Sequence, residues 1–178
     1  IIMLFGIFFF ISSFLIGRVI VNYFFKSLSQ LAKLSAAFFL GIYVSTIITF
    51  FCALLLQSIG NAIFLSLIMV SILQTVVITL IFFKKRSLLK VKISRFESIL
   101  FLFLFLLGWY IMQKTFSYSG GTFLIASNLY LDFGAHIPFI RSFSMGENMP
   151  PTFPFAASIP LLYHFFFDFA VGLYEKMG

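Results

Sequence analysis

The chain has 178 residues, of which 62% are hydrophobic and only 10% are charged. A soluble domain of this length cannot bury that much apolar surface, so the composition excludes a water-soluble globular protein and predicts a membrane protein. The net charge of +7 would suggest nucleic acid for a soluble chain. Here the basic residues lie between apolar runs, where anionic lipid headgroups explain them and nucleic acid is not an expected partner.

Five apolar runs are long enough, or nearly so, to cross a bilayer. A helix needs about 20 apolar residues to span the hydrocarbon core. None of the runs alternates as the strands of a barrel do, so helices are predicted. The predicted spans are residues 1–25, 34–59, 62–83, 96–113 and about 158–177. The sequence therefore predicts an all-α, polytopic transmembrane helix bundle of about five spans.

The linkers between the spans predict the orientation in the plasma membrane. Residues 84–95 hold six basic residues and no acid, which predicts a cytoplasmic loop. The basic residues around the first linker agree, and the uncharged Gly60-Asn61 turn belongs outside. The fourth span then runs outward and places residues 114–155 on the extracytoplasmic side.

The segment 114–155 is the one long stretch predicted not to span the membrane. Its residues 119–121 are predicted to form a turn because they are rich in glycine. A helix is predicted from about residue 128 to Met145, with an apolar face that suits the membrane surface. Pro138 should kink this helix or divide it into two short juxtamembrane helices.

The fifth span is predicted to begin near Pro160, because proline suits the first turn of a helix. His164 would then lie about one turn into the helix and Asp168 about two. Residues four apart share a helix face, so the two side chains are expected to pair. They form either a polar contact between helices or the wall of a polar cavity that opens outward.

Asp132 and His136 are also four residues apart and share a face if that segment is helical. Asp132 is either a capping or loop residue at the helix start or a functional carboxylate, and His136 is either an interfacial imidazole with access to water or a functional group. Arg141 either reaches lipid phosphate from the surface or clamps a phosphate of the substrate.

The chain contains no motif for a cofactor. It has no phosphate-binding glycine loop, no dinucleotide fingerprint and no nucleophile elbow. Two aspartates and two histidines would permit a divalent cation by spacing, but the sequence lacks a recognised metal motif. No cofactor is therefore expected, and a divalent cation is unsupported. The single cysteine, Cys52, lies inside an apolar run and excludes an intrachain disulfide.

The stretch from Leu131 to Glu175, with DFGAHIPFIRSF, GENMPP and YHFFFDF, resembles integral-membrane glycosyltransferases of the GT-C superfamily. These are mannosyl- and arabinosyltransferase-like enzymes that use polyprenyl-phosphate sugars, and the similarity is greatest to uncharacterised prokaryotic members. The resemblance covers about a quarter of the chain. It implies that Asp132 is the general base that acts on the acceptor hydroxyl.

The same resemblance places substrate-handling groups on the helix after Asp132 and at the mouth of the cavity. Asp168 joins them as the partner predicted for the neighbouring histidine. The candidate substrate-binding residues are His136, Arg141, Tyr163, His164 and Asp168.

The resemblance also implies a division of the chain. Residues 1–95 would be accessory N-terminal transmembrane helices. Residues 96–178 would begin a catalytic core whose later helices, which complete the lipid-donor site, lie beyond this fragment. The expected activity is inverting transfer of a hexose or pentose from a polyprenyl-phosphate donor to a hydroxyl of a glycan, lipid or protein.

Two other functions fit the same residues. A transporter, or another proton- or ion-coupled membrane protein, would use Asp132, His136, His164 and Asp168 as a relay, as intramembrane ionisable groups often are used. A non-catalytic scaffold with a polar rim is the third interpretation.

Overall fold

The computed structural model describes residues 2–84, 94–126, 130–156, 158–162 and 164–178, without the side chains of residues 2, 3, 84, 123 and 130–132. Within these ranges the chain forms six helices and one two-stranded sheet. The element order is α1 (Ile2–Phe24), α2 (Gln30–Leu55), α3 (Ala62–Lys84), α4 (Arg95–Thr115), β1 (Phe116–Ser119), β2 (Thr122–Ile125), α5 (Tyr130–Ser144) and α6 (Phe166–Lys176).

Four of these helices are long and apolar enough to cross a membrane. They are Leu4–Phe24, Gln30–Leu55, Ala62–Phe83 and Arg95–Thr115. Their positions match the first four predicted spans to within a few residues. The predicted class, an all-α transmembrane helix bundle, is confirmed.

The fifth predicted span is wrong. α6 has 11 residues, and at 1.5 Å per residue it is about 16 Å long, which is too short to cross the bilayer core. Pro160 does not open a helix but forms an isolated antiparallel bridge with Thr152. The run from 158 onward is apolar enough for a span, but residues 159–161 hydrogen-bond back to the proline-rich segment before them.

The chain forms two compact units. The first unit comprises Ile1–Lys90 and Ile137–Gly178, and the second comprises Val91–His136. The predicted division at residue 95 placed everything after it in one core. In the structure, the described residues of 137–178 belong to the same unit as α1, α2 and α3, and the functional division at residue 95 stays a prediction.

The backbones of α1 and α2 approach each other closely at two glycines. A Cβ atom added to Gly17 would lie 1.9 Å from the Ala37 carbonyl oxygen, and one added to Gly41 would lie 2.1 Å from the Ser13 carbonyl oxygen. Only glycine permits backbones to approach this closely. Small residues spaced by four on each helix form this contact, as is usual where packing rather than the hydrophobic effect holds helices together in lipid.

A buried hydrogen-bonded group joins α1, α2 and α3. Gln74 of α3 accepts from the Ser12 hydroxyl at 2.6 Å and donates to the Ser45 hydroxyl at 2.7 Å. Its amide nitrogen also donates to Ser13 Oγ at 3.2 Å. Polar groups in an apolar interior are costly unless they are paired, so these bonds fix how the three helices align.

α6 packs along part of this bundle. Its first residue, Phe166, has its ring against Tyr43, near the middle of α2, and Phe169 packs on Phe50. At the other end, a Cβ atom on Gly6 would lie 3.3 Å from the Met177 side chain. The hydrophobic core lies where α1, the C-terminal half of α2, α3, α6 and the C-terminal half of α5 meet.

Tyr174 of α6 lies between two rings of α1, with ring centroids 6.1 Å from those of Phe9 and Phe10. Its buried hydroxyl has no hydrogen-bond partner among the described residues. Burial raises the pKa of Tyr174 from 10.0 to about 12, because the charged phenolate is poorly solvated there.

The pKa of Tyr174 predicts a stability loss at alkaline pH. The unfolded phenol loses its proton near pH 10 and the folded one near pH 12, so the stability that Tyr174 contributes is complete below pH 10 and is lost as the pH rises to about 12. Tyr174→Phe should remove this part of the pH dependence and leave the protein at least as stable at pH 7. Thermal midpoints of both proteins from pH 8 to 12 test this, and identical pH profiles would contradict it.

The second unit contains α4, the hairpin and the start of α5. A capping box begins α4, since Ser94 Oγ accepts from the Glu97 amide and the Glu97 carboxylate accepts from the Ser94 amide. β1 and β2 are joined by Gly120 and Gly121, whose φ angles of 58° and 81° are those of a type I′ turn. The predicted turn is confirmed, although the two short strands beside it were not predicted.

α5 is a single helix that includes Pro138. The prediction of a helix to about Met145 is confirmed, because α5 ends at Ser144 and the Met145 amide still bonds to Arg141. The alternative of two short helices in tandem is wrong, since the missing proline donor removes one bond without ending the element.

Candidate functional site

Asp132 and His136 lie on one helix, as predicted. Asp132 is in the first turn of α5, and His136 follows one turn later with a partly buried side chain. Their spacing places both Cβ atoms on the same helix face. The Asp132 side chain is outside the described part of the structure, so its catalytic role stays a prediction.

The second predicted pair is not arranged as expected. His164 is exposed and precedes α6, whereas Asp168 lies in the first turn of that helix and is fully buried. They therefore do not share a helix face, because α6 begins at Phe166 rather than near Pro160. Tyr163 lies outside the described residues.

Asp168 is placed where a helix favours negative charge. The first backbone amides of a helix point outward without intrahelical partners, which stabilises a carboxylate in the first turn. With none of its surface exposed, Asp168 is covered from a ligand at the protein surface in this structure. Its predicted contact with substrate would need this region to open.

A charge cluster joins the end of α5 to the end of α6. Arg141 Nη1 lies 3.2 Å from Glu175 Oε1, and Lys176 Nζ lies 2.6 Å from Glu147 Oε1. Ser144 links the two pairs, since its hydroxyl donates to Glu175 and its carbonyl accepts from Lys176 at 2.7 Å. We call these five residues the α5–α6 charge cluster.

Glu147 anchors this cluster to the helix bundle. Its second carboxylate oxygen accepts from the backbone amide of Ile63 at 2.8 Å, in the first turn of α3. A carboxylate at a helix N-terminus is electrostatically favourable. The contact puts Glu147 at the same end of the first unit as the Gly60-Asn61 turn, and both segments were predicted to be extracytoplasmic.

An open cavity of about 320 Å³ lies beside the charge cluster. Polar groups and apolar side chains both contribute to its wall. It is lined by Asn61, Phe64, Ser144, Met145, Glu175 and Lys176.

Sequence reasoning missed most of this cluster. Arg141 was predicted either to reach lipid phosphate or to clamp a substrate phosphate, and in the structure its half-exposed guanidinium is paired with Glu175. The sequence carried one usable signal, because only five residues are acidic and two of them, Glu147 and Glu175, belong to the cluster. Their partners depend on tertiary contacts that local patterns do not reveal.

Among the described side chains, no three of the His, Cys, Asp or Glu type lie together as a metal site would require. The fold defines a polytopic helical membrane protein. Comparisons with protein-family models, with curated proteins and with solved structures find no match.

Proposed function

We propose that this protein is a membrane glycosyltransferase of the GT-C type. It would move a sugar from a polyprenyl-phosphate donor to an acceptor hydroxyl on the extracytoplasmic face, with Asp132 as general base. The observation that supports this most is the position of Asp132. It lies in the first turn of a 15-residue helix that follows a candidate span and a hairpin, within the stretch that resembles those enzymes.

In the proposed reaction, the Asp132 carboxylate takes the proton of the acceptor hydroxyl. The acceptor oxygen then bonds to the anomeric carbon of the sugar as the bond from that carbon to the phosphate oxygen breaks. The polyprenyl phosphate leaves with the electron pair of that bond, and the anomeric configuration inverts. Asp132 needs hydrogen-bond contact with the hydroxyl, and an aspartate at the start of a non-spanning helix suits this.

The departing phosphate needs a cationic or hydrogen-bond-donating partner. We assign this role first to His136, which shares a helix face with Asp132. Arg141 is the second choice, because it would have to exchange or share its Glu175 partner to bind phosphate. The exposed His164 would handle substrate, together with Tyr163, as the resemblance implies.

A lipid-linked donor requires access from the bilayer. None of the apolar stretch of α4 is buried within the described structure, so this helix presents apolar side chains around its whole circumference. Such a helix is compatible with lipid contact on the way to Asp132. The proposed partners are therefore the bilayer, a polyprenyl-phosphate sugar and a glycan, lipid or protein acceptor.

The direct test uses membranes that contain the full-length protein and labelled polyprenyl-phosphate hexoses and pentoses. We expect label to move to an acceptor while free polyprenyl phosphate is released. Membranes with the empty vector provide the background. Equal label transfer with and without the protein, for every donor, would refute the proposal.

One observation favours a second candidate, a proton- or ion-coupled transporter. α6 is a half-length helix with the buried Asp168 in its first turn, and transporters often place ion-binding groups at the ends of discontinuous helices. In that case, Asp168→Asn would abolish substrate-driven proton or ion movement in proteoliposomes, and membranes with the wild-type protein would show only background sugar transfer.

The proposed orientation has its own test. In a Cys52→Ser background, Ser119→Cys places a thiol on the exposed hairpin, and Ser87→Cys places one in the basic linker. A membrane-impermeant maleimide should label Ser119→Cys on intact cells and Ser87→Cys only after lysis. The reverse pattern would place the hairpin in the cytoplasm and contradict extracytoplasmic transfer.

A further inference from the structure

The cavity beside the α5–α6 charge cluster combines polar groups that are already held in place. Glu175 accepts from Ser144 Oγ and pairs with Arg141, while Lys176 is bonded to the Ser144 carbonyl and paired with Glu147. Each of the two charged groups on the cavity wall therefore has two contacts that fix its position. A ligand would meet a preorganised surface and would not have to order these side chains.

Both charged groups keep hydrogen-bonding capacity. A carboxylate can accept about four hydrogen bonds and an ammonium group can donate three, so the contacts above leave acceptors on Glu175 and a donor on Lys176. The side-chain amide of Asn61 adds an acceptor and donors, and it bonds to no described residue. A ligand that fits must both donate and accept at neighbouring positions, as adjacent hydroxyl groups do.

The charge balance of the cluster disfavours an ionic ligand. Arg141 and Lys176 face Glu175 and Glu147 at 3.2 and 2.6 Å, so the two positive charges are already matched by two negative ones. An entering phosphate would have to compete with a carboxylate for each cation, and an entering amine would compete with a cation for each carboxylate. A neutral ligand adds hydrogen bonds without breaking either pair.

The remaining wall is apolar and accessible. Phe64 is 42% exposed and Met145 is 71% exposed, and both line the cavity. Small-molecule sites typically combine such apolar surface with a few placed polar groups in clefts of about 300 Å³ or more. The aromatic ring and the thioether can cover the C–H face of a ring whose hydroxyl groups reach the polar wall.

We propose that this cavity binds a neutral sugar ring or a similar cyclic polyol. The binding site lies wholly in the first unit and goes beyond the proposed transfer reaction, since it requires no chemistry at Asp132. The ring can belong to a soluble sugar or to the headgroup of a glycolipid, and the polar wall would recognise the same hydroxyl groups in both.

The test measures binding by the full-length protein in lipid nanodiscs with saturation-transfer NMR. The soluble probes are methyl hexopyranosides, and a second set of nanodiscs contains glucosyl diacylglycerol to detect a lipid-borne ring. Asn61→Gly removes the amide at a backbone φ of 65° that glycine adopts readily, and Phe64→Ala removes the ring. Phe105→Ala, on α4 and 58% exposed, is the matched control.

We expect wild type to bind at least one form of the sugar, and each cavity variant to bind about threefold to tenfold more weakly. Phe105→Ala should bind as wild type does. Glycerol phosphate and ethanolamine should not compete, and the signal should be insensitive to salt. Three results would overturn the proposal: no binding of either sugar form, binding by both cavity variants that equals that of wild type, or displacement of the sugar by glycerol phosphate or ethanolamine.

Discussion

Asp132→Asn in the full-length protein should lower the rate of sugar transfer by about 10²- to 10⁴-fold, the usual contribution of a general base. Asparagine has almost the same shape as aspartate but cannot take the acceptor proton. The loss should therefore appear in kcat with little change in the KM for the acceptor. Initial rates with a labelled polyprenyl-phosphate donor measure both quantities.

Glu97→Gln is the matched control for this variant. It also replaces a carboxylate by an amide, at the opposite end of the α4–hairpin–α5 sequence. Glutamine can still accept from the Ser94 amide and complete the capping box. Transfer by this variant should equal that of wild type, and full activity in Asp132→Asn would remove Asp132 from the mechanism.

Gly17→Ala should destabilise the protein by about 1–3 kcal/mol or more, as overpacking of a close contact does. The new Cβ would lie 1.9 Å from the Ala37 carbonyl oxygen, which belongs to the backbone and cannot rotate away. α1 and α2 would have to separate, and the buried bonds from Gln74 to serines on both helices would lengthen. A lower thermal midpoint in detergent is the expected result.

Gly108→Ala tests whether this effect comes from the helix contact. Gly108 lies in α4, and a Cβ atom there meets nothing within 4 Å. Its replacement should leave stability unchanged or raise it by up to about 1 kcal/mol through helix propensity. A Gly17→Ala protein as stable as wild type would show that the backbones can separate at no cost. Gly41→Ala should resemble Gly17→Ala, and the two effects should not add because they affect one contact.

The first four spans could be predicted because hydropathy over about 20 residues is a local property of the chain. The fifth prediction failed for a reason that is also local. Pro160 can begin a helix, but it can equally lie in extended chain, and its bridge to Thr152 decides between the two. Hydropathy does not distinguish a spanning helix from a short helix preceded by apolar extended chain.

Other features depended on contacts between distant residues. The small residues at intervals of four around Gly17 and Gly41 indicate a close contact between helices. This pattern does not identify which helix is the partner. The pairing of Arg141 with Glu175 could not be predicted from the sequence, because it depends on how α5 and α6 pack against each other. For the same reason, only phosphate groups, and not a carboxylate, were predicted from the sequence as partners of Arg141.

The docking of α6 on α1 has a consequence for biogenesis. Phe9 and Phe10 are made early, but the Tyr174 ring that covers them emerges only after all four candidate spans have been synthesised. Until α6 docks, this surface of α1 lacks its cover, and lipid chains can occupy it. Release of those chains would then accompany the docking of α6, so the lipid composition around the nascent protein should influence how fast it matures.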